Sequence, residues 1–158
     1  MILFLDFDGV LHPQYDGAWV PPGQAFCHLP RLEAVLRDFP SVDLVISSEW
    51  RRQFPLDVLR ARFSPDIAVR IVGATPAVAS APAGHYVPAR REAEILQWLG
   101  SAGRSADGSW LALDDAVWQF DRYRDRIVAC SARTGFDGAV EAVLRQQLGG
   151  WARDGLCL

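Results

Sequence analysis

The sequence predicts a doubly wound, Rossmann-like α/β domain: a mainly parallel sheet of about five strands, covered by helices on both faces. Two observations carry this. Short apolar runs alternate with segments whose apolar residues recur at helical spacing, an order that demands crossover connections. Three of those apolar runs also end in carboxylates or hydroxyls, and in such sheets ligands bind beyond the carboxyl ends of the strands. At 158 residues the chain has the length of one domain, and it is read as a single domain over residues 1–158.

The first strand is ILFL, residues 2–5, followed directly by Asp6, Phe7 and Asp8. LPRLEAVLRDF then places Leu29, Leu32, Val35, Leu36 and Phe39 at helical spacing, closed by Pro40. VDLVISS is a buried strand ending at Ser47 and Ser48. PLDVLRARF predicts a helix that opens on Pro55 and stops before Pro65. AVRIVG is the third strand, REAEILQWLG a helix with Gly100 as its stop, WLALDD the fourth strand and RIVACS the fifth. DGAVEAVLRQQLGG is the last helix, with Val140, Val143, Leu144 and Leu148 expected on one buried face. Residues 12–28 and 74–89 fit no regular element and are expected to be loops at the functional edge, neither long enough for an independent cap.

Composition narrows the function. Half of the residues are hydrophobic and 22% are charged, as in an ordinary globular protein. No apolar run nears the roughly 20 residues that span a bilayer, and no basic segment precedes the first apolar run, so a cytoplasmic protein without a membrane partner is expected. Cys27, Cys130 and Cys157 are widely spaced, which argues against a disulfide framework or a structural zinc. The net charge of −3 gives no general attraction to nucleic acid. All 16 basic residues are arginines, so any task that needs a cation falls to Arg.

The chemistry is concentrated at the strand ends. Asp6 and Asp8 follow a buried strand, and unpaired carboxylates there are costly. Their i, i+2 spacing leaves both on one side while Phe7 points the other way. Together with Asp114 and Asp115 they form a set of hard oxygen donors suited to Mg²⁺, which would also compensate their charge.

FLDFDGVL, VISSEW, RREAEILQWL and LALDD, in that order, resemble the motifs of the haloacid dehalogenase-like (HAD) superfamily of phosphohydrolases. The likeness spans nearly the whole chain. It is greatest to small, nearly capless bacterial members, including the HAD domains linked to RNA repair proteins. The resemblance implies that Asp6 is a nucleophile forming an aspartyl phosphate, and that Asp8 is the acid and base, its backbone carbonyl being a further Mg²⁺ ligand. It implies that Ser48, with Ser47 as the alternative, bonds the transferring phosphoryl group. Asp114 and Asp115 would hold the Mg²⁺ with Asp6 and Asp8, Asp114 being the preferred direct ligand. Arg91, with Arg90 as the alternative, would replace the lysine more common in the family.

Each motif has a plainer counterpart. Asp6 and Asp8 alone could mark an Asp-rich turn with Gly9 at positive φ; Ser47 and Ser48 could cap a helix; Asp114 and Asp115 could be a cap and a turn residue; Arg90 and Arg91 could be a solvated pair. His12, His28 and His85 are expected at the surface, with His12 and His85 in reach of substrate. Trp98 is expected in the core, and Trp19 and Tyr15 to anchor their loop or stack on a base. The expected partner is a phosphorylated substrate, either a small molecule or a nucleic-acid end. The resemblance implies a Mg²⁺-dependent phosphomonoester hydrolase; the alternatives are a catalytically weak or inactive phosphate- or partner-binding module and a polynucleotide end-processing phosphatase. Asp8 argues against dehalogenation, and the oligomeric state stays open.

Overall fold

The computed structural model describes residues 1–15, 20, 23–78 and 89–154. Trp19, His85, Cys157 and most of the second expected loop lie outside these residues. Five parallel strands, β1 (Ile2–Leu5), β2 (Asp43–Ile46), β3 (Ile71–Ala74), β4 (Trp110–Asp114) and β5 (Ile127–Ala129), form one sheet in the order β3-β2-β1-β4-β5. Among the described residues five α-helices connect or cover them: α1 (Leu29–Asp38), α2 (Leu56–Arg60), α3 (Pro65–Ala68), α4 (Arg90–Ser101) and α5 (Gly138–Asp154).

The central strands β1, β2 and β4 are apolar apart from the terminal Asp43 and Asp114 because both sheet faces are covered there, and alternate residues serve opposite layers. Leu3, Leu5, Leu44, Ile46, Leu111 and Leu113 enter the core that includes residues of α1 and α5. Ile2, Phe4, Val45, Trp110 and Ala112 enter the core on the α4 side with Ile95 and Leu99. There Trp98 packs edge-on against Phe4 at 5.6 Å between ring centroids, the packing role expected of it.

Several sequence expectations need correction. The helix from Pro55 breaks after Arg60, and Pro65 opens the separate α3; a proline that cannot continue one helix is well suited to the first turn of the next. Ala68 ends α3 and β3 begins only at Ile71. Gly100 lies inside α4, and the left-handed residue past that helix is Gly103, at φ 66°. The last helix continues through Gly149 and Gly150 to Asp154. Leu144 and Leu148 are buried, but Val143 is 46% exposed, so it belongs to the solvent side of α5. Among the described residues no helix is long and apolar enough to cross a membrane.

Candidate active site

The strand register brings the chemistry together. Leu5 pairs with Ile46 on one side and Leu113 on the other. The next rung is held by Asp6 N–H donating to Leu113 O and Ser47 N–H donating to Leu5 O, which sets Asp6 between Ser47 and Asp114. Ile46 pairs with Ala74 and accepts from Thr75 N–H, so Thr75 extends the same row. Four residues distant in sequence thus share one rung at the carboxyl edge.

After Asp6 the chain turns sharply. Val10 and Leu11 both donate their N–H to Phe7 O, and Gly9 takes φ 68°. A Cβ at Gly9 would stand 2.5 Å from Asp115 Oδ2, so glycine is required by conformation and by the close approach of that carboxylate. Phe7 is buried against Phe26, Trp50 and Phe63, whereas Asp6 and Asp8 both line a cleft of about 210 Å³ with Gln14, Glu49, Arg91, Asp115, Trp118 and Gln119.

Asp6 Oδ1 accepts the Phe7 N–H at 2.7 Å, and Oδ2 accepts from Arg91 Nη2 at 3.1 Å. Arg91 comes from the first turn of α4, where the helix dipole disfavours a cation, so flanking carboxylates must offset both that and its burial. Its Nε lies 3.5 Å from Asp114 Oδ2, an ion-pair distance without a hydrogen bond. Burial pulls the Arg91 pKa down, but Asp6 and Asp114 outweigh it and the pKa is raised. Arg90 instead turns to Glu49 and Glu94 at 3.3 Å each and stays partly exposed, so Arg91 is the arginine beside Asp6.

Asp6, Asp114 and Asp115 each offer a carboxylate oxygen within 4.8 Å of the others. Burial, and then the neighbouring Asp6, push Asp114 up to about 7; the same two causes push Asp115 up to about 6. Asp114 Oδ1 is used by the Ala116 N–H at 2.8 Å, while Oδ2 is buried with no hydrogen-bond donor among the described residues. An orphaned oxygen, an all-oxygen donor set and raised carboxyl pKa values fit a hard divalent cation.

Asp8 stands apart from this cluster. His12 Nε2 lies 2.9 Å from Asp8 Oδ1, and Trp50 Nε1 donates to Asp8 Oδ2 at 3.0 Å. His12 is wholly buried, contrary to the expectation of a surface histidine, because the turn at Gly9 folds it back under Asp8. The i, i+4 spacing of Asp8 and His12 was the available signal.

The two serines separate clearly. Ser48 Oγ accepts from Trp50 N–H at 3.4 Å and caps the short 3-10 helix Glu49–Arg52. Ser47 Oγ is buried without a partner among the described residues, as is Thr75 Oγ1. The rung therefore favours Ser47 over the sequence preference for Ser48 as the hydroxyl beside Asp6. Sequence reading also passed over Arg51, which donates to Ser47 O and Ser48 O at 2.8 Å and to Thr75 O at 2.9 Å. Its Nη2 pairs with Glu94 at 2.6 Å, tying the β2 edge to α4.

Residues 2–139 match the family model described as the HAD domain in Swiss Army Knife RNA repair proteins. No curated protein and no solved structure matches the chain.

Proposed function

Because the chain belongs to the family of HAD domains found in Swiss Army Knife RNA repair proteins, we propose that it is a Mg²⁺-dependent phosphomonoesterase working through an aspartyl phosphate on Asp6. The observation that carries this reading is the single rung of Ser47, Asp6 and Asp114, with Arg91 against two of its carboxylates and buried polar atoms left for a ligand.

In the first step an Asp6 oxygen attacks phosphorus as the ester P–O bond breaks, and Asp8 gives its proton to the departing oxygen. In the second, Asp8 takes a proton from water, which attacks phosphorus, breaks the bond to Asp6 and releases inorganic phosphate. Arg91, whose Nη1 has no partner among the described residues, and the Ser47 hydroxyl would bind the phosphoryl oxygens. Asp6, Asp114 and Asp115 would hold the Mg²⁺, with the Asp8 carbonyl as a further ligand, and the ion when bound supplies positive charge against phosphate and carboxylates. Such charge stabilisation is the main catalytic resource in phosphoryl transfer.

A cleft of 210 Å³ accommodates a phosphoryl group more readily than a whole large substrate, so the leaving group would extend toward Gln14, Trp118 and Gln119. Trp118 favours a second reading, the removal of phosphate from a polynucleotide end: the residue is 61% exposed on the cleft wall, where a base could stack.

The test is hydrolysis of p-nitrophenyl phosphate, sugar phosphates and 3′- and 5′-phosphorylated oligonucleotides, with Mg²⁺ or with EDTA. The expected result is Mg²⁺-dependent turnover abolished by Asp6→Asn. Turnover that survives Asp6→Asn contradicts the mechanism, phosphate binding without turnover indicates a binding module, and activity confined to sugar phosphates removes the polynucleotide reading.

A further inference from the structure

We propose that His12 and Trp50 are positioning residues that clamp both oxygens of the Asp8 carboxyl group in the orientation needed to protonate the leaving oxygen. This rests on the phosphatase reading and adds residues to it. His12 Nδ1 lies 3.3 Å from the Phe26 N–H, which can only donate, so Nδ1 is the acceptor of the ring. The neutral imidazole then carries its proton on Nε2 and donates it to Asp8 Oδ1 at 2.9 Å. Trp50 Nε1–H has only a donor to offer, and it meets the other oxygen at 3.0 Å.

Two donors on rigid rings fix the plane of a carboxyl group as one could not. Each carboxylate oxygen has a second lone pair, so the clamp leaves room for the proton that Asp8 must carry and deliver. The rings are themselves held. His12 is fully buried, and it packs edge-on to Phe26 at 5.4 Å, while Trp50 packs edge-on to the same Phe26 at 5.3 Å. Phe26 takes φ 59°, a left-handed conformation uncommon for an aromatic residue, at the point where its N–H meets His12. The contrast with Asp114, whose Oδ2 has no hydrogen-bond donor among the described residues, indicates that the Asp8 side chain is oriented by the protein.

The leaving group separates a positioning role from a merely structural one. p-Nitrophenolate departs with little help from an acid, whereas an alkoxide needs its proton during bond breaking. Wild type, His12→Leu, His12→Gln and Trp50→Phe are compared on p-nitrophenyl phosphate and glycerol phosphate, with thermal melting to verify folding. His12→Leu and Trp50→Phe are expected to lower kcat on glycerol phosphate about 10²-fold, p-nitrophenyl phosphate less than about 10-fold, and KM on neither. His12→Gln, which restores an N–H donor, recovers most of the loss. In ¹⁵N spectra of the wild type, His12 is expected as the Nε2–H tautomer at neutral pH. Equal losses on both substrates, no loss on either, a Gln variant as impaired as Leu, or the Nδ1–H tautomer would overturn the clamp. A wild type without Asp6-dependent turnover defeats the phosphatase reading itself, a result visible before any clamp variant is made.

Discussion

Arg51 and Arg91 are equally buried, each with 4% of its side chain exposed, yet they do opposite things. Arg51 is consumed by the fold: three backbone carbonyls at the β2 and β3 edge and the Glu94 carboxylate occupy its guanidinium. Burial lowers its pKa despite Glu94. Among the described residues Arg91 pairs with the site carboxylates Asp6 and Asp114, and its pKa is raised because these two more than offset burial. A buried cation tied through Nε and Nη1 to three main-chain carbonyls is architecture, and one whose partners are the carboxylates of a cleft is prepared for an anion.

Substitutions can break this contrast. Arg51→Gln leaves buried Glu94 with only the partly exposed Arg90 and takes the guanidinium donors from Ser47 O, Ser48 O and Thr75 O, so a loss of about 3–5 kcal/mol in denaturant unfolding is expected. Arg91→Gln is expected to lower kcat by 10² to 10³, about 3–4 kcal/mol, in the phosphatase assay. Its unfolding free energy should fall by less than that of Arg51→Gln. If Arg91→Gln instead lost stability and kept its activity, the two roles would be exchanged.

The raised pKa values of Asp114 and Asp115 sharpen the comparison from the carboxylate side. A carboxyl with a raised folded pKa binds more protons in the folded state, so its contribution to stability is greatest below the ordinary value of 3.8. That contribution is lost as pH rises through about 6 for Asp115 and about 7 for Asp114. Without divalent ions, these two groups therefore favour unfolding more at pH 8 than at pH 5. Mg²⁺ should reverse this, and its upward shift of Tm is expected to be larger at pH 8 than at pH 5, where protons compete for the same oxygens. The smallest effect belongs to the neighbouring arginine. Arg90→Gln removes two partly exposed 3.3 Å pairs and is expected to cost under about 1 kcal/mol in unfolding, with kcat nearly unchanged.

The sequence made the strands legible because β1, β2 and β4 are buried on both faces and read as apolar runs, interrupted only at their ends by Asp43 and Asp114. Asp6, Asp114 and Asp115 stood out because ionisable groups directly after such runs need a partner. Ser47 and Ser48 could not be separated that way, since the answer lies in which of them continues the rung beside Asp6 and which hydroxyl turns back to Trp50 N–H. His12 read as a loop residue because its i, i+4 spacing from Asp8 becomes a contact only once the chain turns through Gly9 and buries the ring. Arg51 drew no reading from the sequence, because its partners, the strand-end carbonyls and Glu94 of α4, meet it only in the assembled fold. Local pattern reveals what a strand buries, while contacts between elements remain invisible until the sheet is assembled.

The most direct measurement is to quench the protein in acid during turnover of a phosphomonoester with Mg²⁺ and weigh its peptides. The peptide containing Asp6 should carry the mass of one phosphoryl group, located at Asp6 and absent from Asp6→Asn. A phosphorylated residue elsewhere, or sustained turnover of Asp6→Asn, would contradict the assignment of Asp6 as the nucleophile.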